Sequence, residues 1–124
     1  MARTTAADWI ASVDEALEEL RKTCSQIYMT GLSMGGTLPL RLGEQHSDAV
    51  AGIAVVNPSV HSRNRALKAL PVLRHVVPAV PGIRNDIKRP GQDEGAYDRI
   101  PLQPLHSLTE LWRITSAELL RVTA

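Results

Sequence analysis

The stretch Thr30-Gly31-Leu32-Ser33-Met34-Gly35-Gly36-Thr37 sets one serine between two glycines in a Gly-x-Ser-x-Gly pattern. A serine hydroxyl is a weak nucleophile until a base takes its proton, and it needs a backbone that lifts it clear of its surroundings. A strand running into the serine and a helix running out of it provide that lift through a tight, strained turn. Gly31 and Gly35, two residues to either side, are expected to face one another so closely that larger side chains would clash. Gly36 lets the outgoing helix lie near the strand. The N–H of Met34 then points from the helix start at the place where a tetrahedral oxyanion forms. These residue types at this spacing suit acyl transfer through a covalent intermediate on Ser33. The plain alternative is a close strand–helix turn in which Ser33 is an ordinary helix cap. Phosphate binding fits worse, because no lysine follows the glycines and the P-loop pattern is absent.

The elements that must hold this turn are legible on either side. Residues 5–22 predict an amphipathic helix, with Thr5 and Asp8 in a capping-box arrangement and Ile10, Val13, Leu17 and Leu20 at helical spacing. Arg21 and Lys22 fall in its last turn, where cations suit the helix dipole, and Trp9 near its start is expected to pack. Cys24 is expected to pack as a small apolar residue. Residues 26–30 predict a strand and 34–46 a second helix, in which Pro39 is a misfit because it forfeits the bond to the Gly35 carbonyl. The apolar run at 51–57 predicts a strand buried on both faces of a parallel sheet. Helix, strand, helix, strand is the alternation of an α/β fold.

Beyond Pro58 the pattern loosens. Residues 61–77 predict one or two short helices interrupted by Pro71. Arg63, Arg65, Lys68 and Arg74 there suit a solvated lid helix better than a membrane surface. Leu67, Leu70, Val72 and Leu73 are candidates to line an apolar pocket. Residues 78–101 read as a long irregular excursion, a length usually kept for function. A helix resumes over 102–120, with Leu105, Leu108, Leu111, Trp112 and Leu119 as candidate buried positions.

Composition narrows the function classes. The chain has 124 residues, 44% apolar and 22% charged, with net charge +1, which suits one modest folded domain and not a disordered segment. Near-zero net charge and few aromatics give no footing for nucleic acid. One cysteine excludes a disulfide framework and a cysteine zinc site, and His46, His61, His75 and His106 lack the pairing that builds metal sites on helices. No run of about 18 apolar residues exists, so no membrane span is expected. The first fifteen residues carry acids and no apolar core of a signal peptide, so a cytoplasmic setting is expected. Residues 1–60 hold four basic and seven acidic residues, and residues 61–124 hold ten basic and six acidic, so the two halves differ in character. Six of the eight prolines lie within 71–104, which marks the same division.

Asp8-Trp9, Glu15-Ala16-Leu17-Glu18-Glu19-Leu20, Tyr28 through Gly36, and Asn57-Pro58 together resemble the α/β-hydrolase family, in its bacterial carboxylesterase and monoacylglycerol-lipase branch. The resemblance is strong over 8–58 and looser over 59–124. It implies an incomplete α/β-hydrolase fold: a partial core with the nucleophile elbow over 1–58, a lid-like segment over 59–101, and a helix returning to the core over 102–124. It further implies a serine ester hydrolase acting on a small-molecule ester or acylglycerol without metal or organic cofactor. Ser33 would be the nucleophile and Met34 one oxyanion donor. In that family a strand ending in His-Gly precedes the matched region, and the triad acid and histidine lie on later strands. This chain has no His-Gly pair, so the triad acid and base are expected to be missing from it, the chain to be truncated and poorly active alone, and its unpaired sheet edges to favour self-association.

Local residues offer no replacement for them. His46 stands about 18 Å along the helix from Ser33 and is expected to be solvated. His61 falls on the side where catalytic loops gather but is not expected to be the base, and His75 and His106 sit in helical segments. Asp86, Asp93, Glu94 and Asp98 are expected to be solvated charge. Two alternatives remain: a non-catalytic remnant or interaction module that keeps the elbow, and an acyltransferase of the same fold.

Overall fold

Thr5 starts the first helix with reciprocal hydrogen bonds in the computed structural model, which describes residues 4–82, 89–92, 95 and 97–123. The Asp8 N–H donates to Thr5 Oγ1 at 3.3 Å and the Thr5 N–H donates to Asp8 Oδ2 at 2.7 Å, forming the capping box at the head of α1 (Ala6–Arg21). The Thr5 N–H bond foremost, and a second bond from the Thr5 hydroxyl to the same Asp8 Oδ2 at 2.8 Å, hold the Asp8 carboxyl below the ordinary aspartate range. Leu17 is buried on the inner face of α1 with Val13 packed beside it, while Leu20 is half exposed. The Trp9 indole N–H donates to Thr4 Oγ1 at 2.8 Å.

The chain turns at Lys22–Cys24 and enters β1 (Tyr28–Leu32), two residues later than the β-forming run predicts. Cys24 does not pack as expected: its backbone N–H closes the end of α1 on the Leu20 carbonyl at 2.8 Å, and its thiol is exposed. After β1 come α2 (Met34–Gln45) and β2 (Gly52–Val56), which pairs parallel to β1 from Tyr28↔Gly52 to Leu32↔Val56. Leu17, Ile27, Leu42 and Val50 form the core, and Met29 and Ile53 press on it from one face of the sheet. Pro39 is buried inside α2 without ending it, lining a small apolar cavity with Leu17, Ile27, Met29 and Leu42. Packing therefore outweighs the one helical bond that Pro39 gives up.

The expectation that β2 is buried on both faces is not met. Its residues alternate between half-buried and exposed, and Tyr28, Leu32 and Val56 are 69, 64 and 59% exposed. Alternation along a parallel pair places Tyr28, Thr30, Leu32, Ala54 and Val56 on one face. The described elements cover only the opposite face.

The second half is more regular than its prolines suggest. Asn64 caps a 3₁₀ turn (Arg65–Ala69) that leads into α3 (Leu70–Leu73), with Pro71 in the first turn, where its missing N–H costs nothing. Leu70 is buried, but Val72 and Leu73 are exposed, because so short a helix can bury only one side. The excursion over 78–101 is also not wholly irregular. Its ends form β3 (Ala79–Pro81) and β4 (Arg99–Pro101), antiparallel with Val80 opposite Ile100. Two short apolar segments recover their backbone hydrogen bonds this way, despite the flanking prolines. Of the acids expected there, Asp98 is exposed, and Asp86, Asp93 and Glu94 lie outside the described residues.

From β4 the chain passes into α4 (Leu102–Glu118), which buries Leu102, Ser107, Leu111 and Thr115. Of the candidate buried positions Leu111 is fully buried, whereas Leu105, Leu108, Trp112 and Leu119 are only half-buried, and the small polar Ser107 and Thr115 are buried beside Leu111. A buried charge cluster ties α4 to α2. Arg41 NH1 donates to Glu44 Oε2 at 2.7 Å and also to Glu118 Oε2. No helix among the described residues is long and apolar enough to cross a membrane.

Candidate active site

Ser33 stands between the end of β1 and the first turn of α2 with φ 53° and ψ −122°. That combination is open to glycine and strained for a residue with a Cβ, costing on the order of 1–3 kcal/mol. Three backbone hydrogen bonds hold it there. The Ser33 N–H donates to the Val56 carbonyl, and the Ser33 carbonyl accepts the N–H groups of Gly36 and Ser59, each at 3.0 Å. The serine thus stays exposed at the head of the turn. Its hydroxyl makes no capping bond to α2, which removes the reading of Ser33 as an ordinary helix cap.

The close approach predicted for the glycines is one-sided. A Cβ on Gly31 would lie 2.2 Å from the carbonyl oxygen of Gly35, a separation no packed atoms tolerate. A Cβ on Gly35 would meet nothing within 4 Å, so Gly35 contributes its backbone and not an absent side chain. On Gly36 it would press the Gly31 carbonyl at 3.2 Å and Pro58 at 3.3 Å, which agrees with a helix drawn close to the strand. Met34 opens α2, so its N–H belongs to the first turn, whose donors have no partner within the helix and stand at the positive end of its dipole.

Three further residues complete the turn, and the motif alone does not reveal them. Asn57 ends β2 with φ 45°, the second non-glycine residue at positive φ among those described, and redirects the chain toward Ser33. The Thr37 hydroxyl, fully buried, donates to the Ser59 carbonyl at 2.5 Å and so fixes the segment whose N–H holds Ser33. Asparagine tolerates positive φ better than most residues, which makes Asn57-Pro58 the one sequence signal that could have pointed to this support.

The imidazoles lie elsewhere. His46 is not merely solvated, since its Nε2 is 2.7 Å from Asp14 Oδ1 and ties the end of α2 to α1. His106 Nδ1 is 3.1 Å from Arg74 NH1 and 3.7 Å from Glu110, His75 is exposed, and His61 is exposed on the wall of a groove against α4. Among the described residues no imidazole or carboxylate hydrogen-bonds to Ser33, and no group of three or more His, Cys, Asp or Glu could hold a metal ion. Apart from Asp8 at the head of α1, the perturbed titrations among the described residues belong to the α2–α4 cluster. Burial pushes the Glu44 carboxyl above the ordinary glutamate range despite Arg41, whereas the Arg41 hydrogen bond holds Glu118 below it.

No family model matches the chain. A curated relative, the thermostable monoacylglycerol lipase of Bacillus sp. (strain H-257), is 40% identical over 123 residues, spanning 98% of this chain and 48% of the relative. A solved structure of the metagenome-derived lipolytic enzymes LipS and LipT superposes with a TM-score of 0.89 at 34% identity, over 98% of this chain and 49% of that one. The crystal structure of Paleococcus ferrophilus monoacylglycerol lipase gives a TM-score of 0.71 at 20% identity, over 98% and 52%. The chain therefore spans about half the length of the relatives it matches. By sequence it is similar to about half of these lipolytic enzymes, and by fold it carries part of the α/β-hydrolase fold.

Proposed function

We propose that the chain is the nucleophile-bearing part of a serine carboxylic-ester hydrolase of the carboxylesterase or monoacylglycerol-lipase type. The observation that carries this is the strained, exposed Ser33, held at positive φ between β1 and α2 with its hydroxyl left unused by the helix. In the proposed reaction the Ser33 oxygen attacks the ester carbonyl carbon while a base takes the hydroxyl proton. The tetrahedral oxyanion gathers charge beside the Met34 N–H, and its collapse expels the alcohol, which takes up that proton. Water then attacks the acyl-serine and releases the acid. The described residues of the lid-like segment 59–101 would cover the acyl pocket, and 83–88, 93, 94 and 96 lie outside the described residues.

Because no acid–base pair adjoins Ser33 among the described residues, the chain alone is proposed to turn over little ester. The base and acid would come from sequence beyond these 124 residues. Expressed with the coding sequence on both sides, the protein should be labelled by a fluorophosphonate at Ser33, and Ser33→Ala should abolish the label. Labelling that survives this substitution overturns the assignment. Stop codons or unrelated sequence on both sides would instead favour the non-catalytic remnant, which the missing acid–base pair also suits.

A further inference from the structure

A groove of about 780 Å³ runs between residues 60–68 and α4, within the size range of small-molecule sites, about 300–1,000 Å³. The Ser116 hydroxyl donates to the Val60 carbonyl at 2.7 Å and joins its two walls. Arg63, Arg65, Lys68 and Arg113 line it, and no carboxylate does among the described residues. None of these four cations forms an ion pair or a side-chain hydrogen bond there, in contrast to Arg21, Arg41 and Arg121 on the same molecule. Four like charges around one concavity repel one another unless an anion sits among them. Between them the walls are apolar, built from Val60, Leu67 and Trp112, and the Trp112 indole N–H is buried without a hydrogen-bond partner. Arg74 is excluded from the groove, since it is held by His106.

We propose that this groove binds an anionic single-chain amphiphile, with its carboxylate or phosphate head among Arg63, Arg65, Lys68 and Arg113 and its alkyl chain against Leu67 and Trp112. Cations alone would take any polyanion, and the apolar walls alone any hydrocarbon. Their combination selects a molecule with one charged end. The proposal does not depend on Ser33 chemistry.

The test uses the Trp9→Phe chain, which leaves Trp112 as the sole indole. Its emission is titrated with dodecanoate and dodecyl phosphate below their micelle thresholds. Dodecanol, acetate, inorganic phosphate and phosphatidylglycerol vesicles are titrated in parallel. Saturable changes are expected with both charged amphiphiles, with dodecanol and the chainless anions at least roughly tenfold weaker. The double variant Arg63→Gln/Arg113→Gln should weaken dodecanoate roughly tenfold or more, and Arg63→Lys/Arg113→Lys should recover most of that loss. Both positions are exposed, and unchanged circular dichroism would separate lost binding from lost fold. Equal affinity for dodecanol, or undiminished dodecanoate binding in the glutamine variant, overturns the proposal. A response to vesicles alone also overturns it, by moving the anion from a free amphiphile to a bilayer surface.

Discussion

The absent side chain of Gly31 makes room for the carbonyl of Gly35, and the relationship is not reciprocal. A Cβ on Gly31 would stand 2.2 Å from that oxygen, whereas one on Gly35 faces open space. Gly31→Ala should therefore destabilise the chain by about 2–3 kcal/mol, through forced movement of the turn. Gly35→Ala should be neutral or stabilising by up to about 1 kcal/mol, since alanine is the better helix former. Urea denaturation of both variants checks this, and equal losses would contradict it.

Ser33 offers a second test of strain. Alanine keeps the Cβ that φ 53° disfavours, while glycine removes it, and both lose the hydroxyl. Ser33→Gly should be more stable than Ser33→Ala by about 1 kcal/mol. An equal or reversed order of denaturation midpoints would show that the three backbone bonds hold the turn without strain.

The Arg41 cluster makes predictions about both stability and pH. Arg41→Met leaves the fully buried Glu44 side chain without its cation and should cost about 3–5 kcal/mol, much of it regained in Arg41→Met/Glu44→Leu. The pH dependences of the two carboxyls have opposite signs. Glu118 is held below its ordinary range, so its contribution is present above that range and fades as the pH falls. Glu44 is pushed above its ordinary range by burial, so its contribution is full below that range and fades as the pH rises through the elevated value. The stability of the parent chain relative to Glu44→Gln should therefore decline from acid toward neutral pH, read from denaturation midpoints across that interval. A flat or rising difference would contradict the assignment.

The uncovered sheet face should make the chain associate with itself. Tyr28, Leu32 and Val56 are largely exposed on one face of a two-stranded sheet whose outer edges have no strand beside them among the described residues. Sedimentation should show mass rising with concentration, and Tyr28→Thr/Val56→Thr should shift the curve toward the monomer. A concentration-independent monomer would show that the face tolerates water.

Local chemistry on the chain was enough to specify α1 with its capping box, the strand–turn–helix around Ser33 and the parallel pair. Each rests on neighbours a few residues apart, such as Thr5 with Asp8 or the glycines around Ser33, or on the spacing of apolar residues. The break at Pro71 was equally legible, because a proline in the first turn acts through its own ring. Partners distant along the chain were not. Asp14 with His46, Arg41 with Glu118, Thr37 with Ser59 and the short ladder of β3 with β4 depend on which elements meet, and no local pattern encodes that meeting. Burial follows the same rule. The run at 51–57 is apolar enough for a strand covered on both faces, yet its exposure is decided by the neighbours that pack on it, and only the tertiary arrangement supplies or withholds those.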